Sequence, residues 1–99
     1  MLTLGISVAC EVLPGTFMSE YMVRIEDSAG MLWHGSVDKE MICELAEEPK
    51  AERFVPGRMY AYLISVKGKS ALIELPVENS NGRRLEVPVQ LLQKERIPA

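Results

Sequence analysis

The sequence predicts an all-β fold: a small five- or six-stranded antiparallel barrel, OB-like or SH3-like, with one short helix near residues 39–48. Two observations carry that expectation. Apolar residues alternate at period two along successive segments, and turn signals built on Gly, Pro, Asn and Asp separate those segments. Closure into a barrel is the physical answer to exposed strand edges in a chain this small. With 99 residues, the chain suffices for one domain, residues 1–99, and is too short for two.

The first strand follows from Leu4, Ile6, Val8, Cys10 and Val12, which alternate with Thr3, Gly5, Ser7, Ala9 and Glu11. Pro14 and Gly15 stop it, and residues 16–19 form a loop carrying Phe17 and Met18. The central hairpin comes next. Tyr21, Val23 and Ile25 share one face, Met22, Arg24 and Glu26 the other, and Asp27, Ser28 and Gly30 supply the turn. On the return strand Met31, Trp33, Gly35 and Val37 oppose Leu32 and His34; the pattern leaves open which face is inside.

Asp38 can cap a helix whose stripe is Met41, Ile42, Leu45 and Ala46, ended by Pro49. At about ten residues such a helix is marginal alone and must pack on something. Pro56 and Gly57 mark another turn. Residues 58–66 then alternate Tyr60, Tyr62, Ile64 and Val66 against Met59, Ala61, Leu63 and Ser65, apolar enough on both sides for a central strand. Lys67, Gly68 and Lys69 form a basic turn. Ala71, Ile73 and Leu75 make the next strand, residues 79–82 a third hairpin turn, and Leu85, Val87 and Val89 the last strand, with a single helical turn over 89–93.

A faint internal repeat is present. Val23, Ile25, a Gly turn, Val37 and Ile42 are echoed about fifty positions on by Ile73, Leu75, a Gly turn, Val87 and Leu92. Either the chain has pseudo-twofold barrel halves, or two hairpins obey the same rules; shared turn chemistry favours the second.

Composition narrows the function. The chain is 47% hydrophobic and 25% charged, with net charge −3, which is ordinary globular composition. Nucleic-acid binders usually show a basic excess, so nucleic acid is disfavoured as partner. Two cysteines, Cys10 and Cys43, and a single His cannot assemble a zinc site from Cys and His, and no cofactor motif is present. Cys10 reads as a buried thiol; Cys43 stays open. No apolar run approaches the ~20 residues of a membrane span, and the N-terminus lacks the pattern of a signal or transit peptide, so the expected location is cytoplasmic with no membrane partner.

Glu11, Val12, Leu13, Pro14 and Gly15, then Val23 to Asp27, Gly30, and Leu32 to Ser36 resemble the first three strands of the smallest bacterial translation initiation factor family, an OB-fold that binds RNA on the ribosome. Val55-Pro56-Gly57 and Lys67-Gly68-Lys69 resemble its later part. The resemblance spans about 60 residues and implies the OB fold and RNA binding. Three features depart from the pattern: a longer loop at 16–19, acidic residues in the expected helix, and an additional hairpin over 77–90.

No nucleophile elbow, phosphate loop or metalloprotease motif appears. A Cys–His pair drawn from Cys43 or Cys10 with His34 reads better as structural, so no enzyme is expected. The leading expectation is a non-enzymatic protein-interaction module, supported by acidity, by Met18, Met22, Met31, Met41 and Met59 as an adaptable surface, and by a sheet edge left by the C-terminal hairpin. That edge also permits a homodimer by strand pairing. The alternative is single-stranded RNA or DNA binding through an aromatic strand face. The candidate ligand-binding residues are Tyr21, Arg24, Trp33, His34, Tyr60, Tyr62, Lys67 and Lys69. The competing reading places Trp33, Tyr60 and Tyr62 in the barrel core.

Overall fold

Alternation puts Ile6, Val8, Cys10 and Val12 on one side of strand β1 (Leu4–Pro14), and all four are buried. β1 is one of two long strands on which the fold is built; the other is β5 (Val55–Lys67), paired antiparallel to it from Leu4 opposite Tyr62 to Val12 opposite Val55. The structure, a computed structural model, describes residues 4–77 and 82–95. Of the turn expected over residues 79–82, residues 79–81 lie outside the described residues, as does the tail from residue 96.

The other strands are β2 (Glu20–Glu26), β3 (Leu32–Asp38), β4 (Ile42–Leu45), β6 (Ser70–Glu74), β7 (Arg84–Pro88) and β8 (Leu92–Lys94). They form a single antiparallel sheet in the order β3-β2-β1-β5-β6-β7, curled into a half-barrel, with β4 added on β5 and β8 on β1. The fold is therefore all-β. Its inner face gathers Val8, Val12, Val23, Ile25, Trp33, Val37, Met59, Ile73, Leu75 and Val87 into one buried cluster. In the central hairpin the inward face is thus the one carrying Tyr21, Val23, Ile25, Trp33 and Val37.

The helix expected near residues 39–48 is not formed. A 3-10 turn over Lys39–Met41 leads directly into β4. β4 pairs with β5, Ile42 opposite Met59 and Leu45 opposite Gly57, and Ala46 N–H continues the ladder to Pro56 O at 3.0 Å. An isolated helix of that length is marginal, whereas strand pairing satisfies the outer edge of β5 exactly where β6, opposite residues 62–67, leaves it open. Ile42 and Leu45 still pack against the core, so the apolar signal was real and its period was misleading. The helical turn expected over 89–93 is a 3-10 turn over Val89–Leu91, followed by β8.

The internal repeat is a structural symmetry, not a coincidence of turn rules. The β2–β3 register runs from Glu20 opposite Asp38 to Glu26 opposite Leu32; the β6–β7 register runs from Ser70 opposite Pro88, each partner fifty positions on (20 to 70, 38 to 88). Lys39 N–H donates to Ser19 O, and Val89 N–H, fifty further, to Lys69 O. Each half then ends in a 3-10 turn and a short strand, and those strands are exchanged. β4 pairs with the second half's β5, Ile42 opposite Met59, while β8 pairs with the first half's β1, Leu92 opposite Val8. Val8 and Met59 are therefore equivalent residues, and they also face each other in the β1–β5 ladder. The pseudo-twofold axis passes between them.

The ends of the curled sheet meet through the hairpin turns. Ser28 N–H donates to Glu86 O at 2.8 Å, and Trp33 Nε1–H donates to Gly82 O at 2.9 Å. The edge expected to be left by the C-terminal hairpin is thus partly capped at Glu86. No helix among the described residues is long and apolar enough to cross a membrane.

Candidate functional site

The eight residues singled out by sequence do not form one surface. Trp33 is only 3% exposed, and Tyr21 belongs to the same buried cluster. Both are core residues, because the period-two alternation that puts Val23 and Ile25 inside carries them there too. Arg24 and His34 lie on the opposite face, directly across β2 and β3 from each other. Arg24 Nε donates to Glu11 Oε1 at 2.8 Å, and its guanidinium stacks 3.8 Å from the Phe54 ring centroid. That stack tethers the inter-half linker to the first hairpin. Tyr60 and Tyr62 are half-buried on the outward side of β5, and Lys67 and Lys69 are exposed at the β5–β6 turn. A continuous aromatic stacking face built around Trp33 is therefore not assembled.

The Cys–His pair is not assembled with Cys10 either: Cys10 lies on the inner face with Val8 and Val12, His34 on the outer face. Burial is the largest influence on the Cys10 thiol, pushing its pKa from 9.0 to about 12, with Cys43 reinforcing it. Cys43 is shifted up too, first by burial and then by Glu95. Neither favours the thiolate that nucleophilic chemistry needs. Native protein should accordingly leave Cys10 unmodified by iodoacetamide at pH 8, while denatured protein alkylates at both cysteines; mass spectrometry of the two samples checks this. Because the folded pKa lies above the unfolded one, this thiol's contribution to stability is present below pH 9 and lost as pH rises toward about 12.

Next to the pseudo-axis lies a partly buried polar network. Ser7, fully buried, donates through Oγ to Glu95 Oε2 at 2.6 Å and accepts from Arg58 Nε at 2.8 Å. Arg58 also donates to Ser7 O and, at 2.8 Å, to Leu91 O. Every bond joins one half to the other or fastens the second 3-10 turn. The network is a clamp, and full burial withholds the Ser7 hydroxyl from any substrate. Among the described residues no group of His, Cys, Asp and Glu is placed to hold a metal ion.

A surface feature outside the eight candidate residues is the loop between β1 and β2, which carries Phe17 and Met18. Phe17 is 67% exposed and Met18 93% exposed. The loop is nevertheless built: Gly15 N–H donates to Glu20 O and Glu20 N–H to Phe17 O. A Cβ at Gly15 would lie 2.5 Å from Glu20 O, so only glycine permits this closure. Beside the tip runs a groove of about 240 Å³ whose walls include Pro14, Tyr21, Lys39, Glu48 and Pro49. The Lys39 ammonium lies 4.9 Å from the Tyr21 ring centroid. Two bulky apolar residues between Gly15 and Ser19 are the sequence signal for it; Met18 already stands among the methionines of the expected adaptable surface, while the loop's built frame shows only in the backbone bonds.

No family model, curated protein or solved structure matches the chain.

Proposed function

We propose that this protein is a non-enzymatic binding module whose partner is another protein. The carrying observation is the presentation of Phe17 and Met18 on a hydrogen-bonded loop, since large apolar side chains held out in water by a rigid frame favour association. The two unpaired thiols suit a reducing, cytoplasmic setting.

The second reading is single-stranded nucleic-acid binding, which the resemblance to the initiation factor family raises. It now rests on Tyr60 and Tyr62 with Lys67 and Lys69 alone, and the net charge of −3 opposes it. A photo-crosslinking amino acid placed at position 18, and separately at position 62, separates the two in cells. The expected result is a protein adduct from position 18 that survives nuclease. A nuclease-sensitive adduct from position 62, with none from position 18, would transfer the assignment to nucleic acid.

A further inference from the structure

We infer that the groove beside Phe17 and Met18 receives a basic protein segment carrying one bulky apolar residue. This rests on the protein-partner reading above and gives it a place and a chemistry.

Charge supplies the argument. Glu20, Lys39 and Glu48 line the groove, and the surface beside it is formed by Ser19, Asp38, Lys39 and Glu40. Four carboxylates against one ammonium leave an excess of three negative charges (4 − 1 = 3). The whole chain has 14 acidic and 11 basic residues, so the remainder balances at ten of each. Four of the chain's acidic residues thus stand around this groove against one basic residue. Lys39 is in addition drawn toward the Tyr21 ring. A concavity rimmed mainly by one sign of charge attracts the opposite sign and orients its approach.

The apolar half of the specificity comes from the walls. Pro14, Pro49 and the Phe17 ring are rigid surfaces, and Met18 is a flexible, polarizable side chain that adapts to aromatic or aliphatic partners. Because the backbone bonds at Gly15 and Glu20 already hold the tip, little ordering is left to binding. An apolar anchor flanked by Lys or Arg satisfies both halves; an acidic or purely polar segment satisfies neither.

The test titrates isotopically labelled full-length protein with three synthetic peptides, read by amide chemical shifts. One is Lys/Arg-rich with a central Trp, the second has its basic residues replaced by Glu, and the third replaces the Trp by Ser. Only the first should bind, moving the amides of residues 15–20, 38–40 and 48. Affinity should fall roughly tenfold on raising salt from about 0.05 M to 0.3 M, as screening predicts. Met18→Ser and Glu48→Lys, both exposed and compatible with folding, should each weaken it.

Equal binding of the acidic peptide, or shifts mapping to Tyr60 and Tyr62, overturns the inference. Concentration-dependent shifts of the same amides without peptide also overturn it, and assign the groove to a second copy of the chain. A protein adduct at position 18 with no basic-peptide binding defeats this inference while leaving the binding-module reading intact.

Discussion

Trp33→Ala lowers the unfolding free energy by about 3–5 kcal/mol, the range for removing a buried aromatic. A small domain has only about 5–15 kcal/mol in total, so roughly a fifth or more of its stability goes with one side chain. Two losses combine. The indole leaves a cavity on the inner face, across the β2–β3 ladder from Ile25, and the bond from Nε1 to Gly82 O disappears. That bond ties the first hairpin to the loop preceding β7, where the curled sheet is held by turns instead of a strand ladder. Trp33→Phe retains most of the volume and loses the bond, so its smaller cost, about 1–2 kcal/mol, isolates the polar contribution. Urea denaturation followed by far-ultraviolet circular dichroism gives both values. If Trp33→Ala unfolds within about 0.5 kcal/mol of the parent, as ordinary surface changes do, Trp33 does not belong to the core.

Met59→Ala costs about 2–5 kcal/mol. Met59 is fully buried and faces Val8 where the two halves meet. It also pairs with Ile42 of the exchanged strand β4. Its truncation therefore loosens β1, β4 and β5 together, and the protein should still unfold in one transition with an unchanged denaturant slope. Met31→Ala is the matched control: Met31 is 67% exposed at the hairpin turn, and its change should stay within ±0.5 kcal/mol. Two resolved transitions in Met59→Ala would show that the halves are separate cooperative units and would defeat the account of the pseudo-axis as the shared core.

The strands were legible because period-two alternation is a local pattern written by burial. Val8, Val23, Ile73 and Val87 are inside for the reason their spacing indicates. Residues 39–48 were not legible: Met41, Ile42 and Leu45 sit at helical spacing, yet their partner is a strand edge on β5 that no local window contains. The symmetry was half legible. The matching residues were visible, but the decision between shared turn rules and equivalent halves needed the register of β2–β3 and β6–β7. Aromatic type alone does not separate ligand surface from core, and the alternation that fixes Val23 and Ile25 inside claims Tyr21 and Trp33 as well. Phe17 and Met18 gave no periodic signal at all. Their exposure follows from loop closure at Gly15 and Glu20, a geometric fact about the backbone.

The exchange of β4 and β8 has a consequence for the time course of folding. Neither half owns a finished sheet, because each receives its last strand from the other. During synthesis β1 emerges early, but one of its neighbours, β8, comes some eighty positions later; Ser7 and Glu95, joined by a hydrogen bond, are 88 positions apart. The first hairpin can form early, on microsecond scales typical of local pairing. The clamp at Ser7 and Arg58 and the closure of β1 must wait for the second half. Folding is thus expected to be slow for the chain's size, in the millisecond-to-second range of topologies dominated by distant pairing. Until then the outer edge of β1 at residues 6–8 stands open, and the nascent chain is most prone to pairing with the wrong strand.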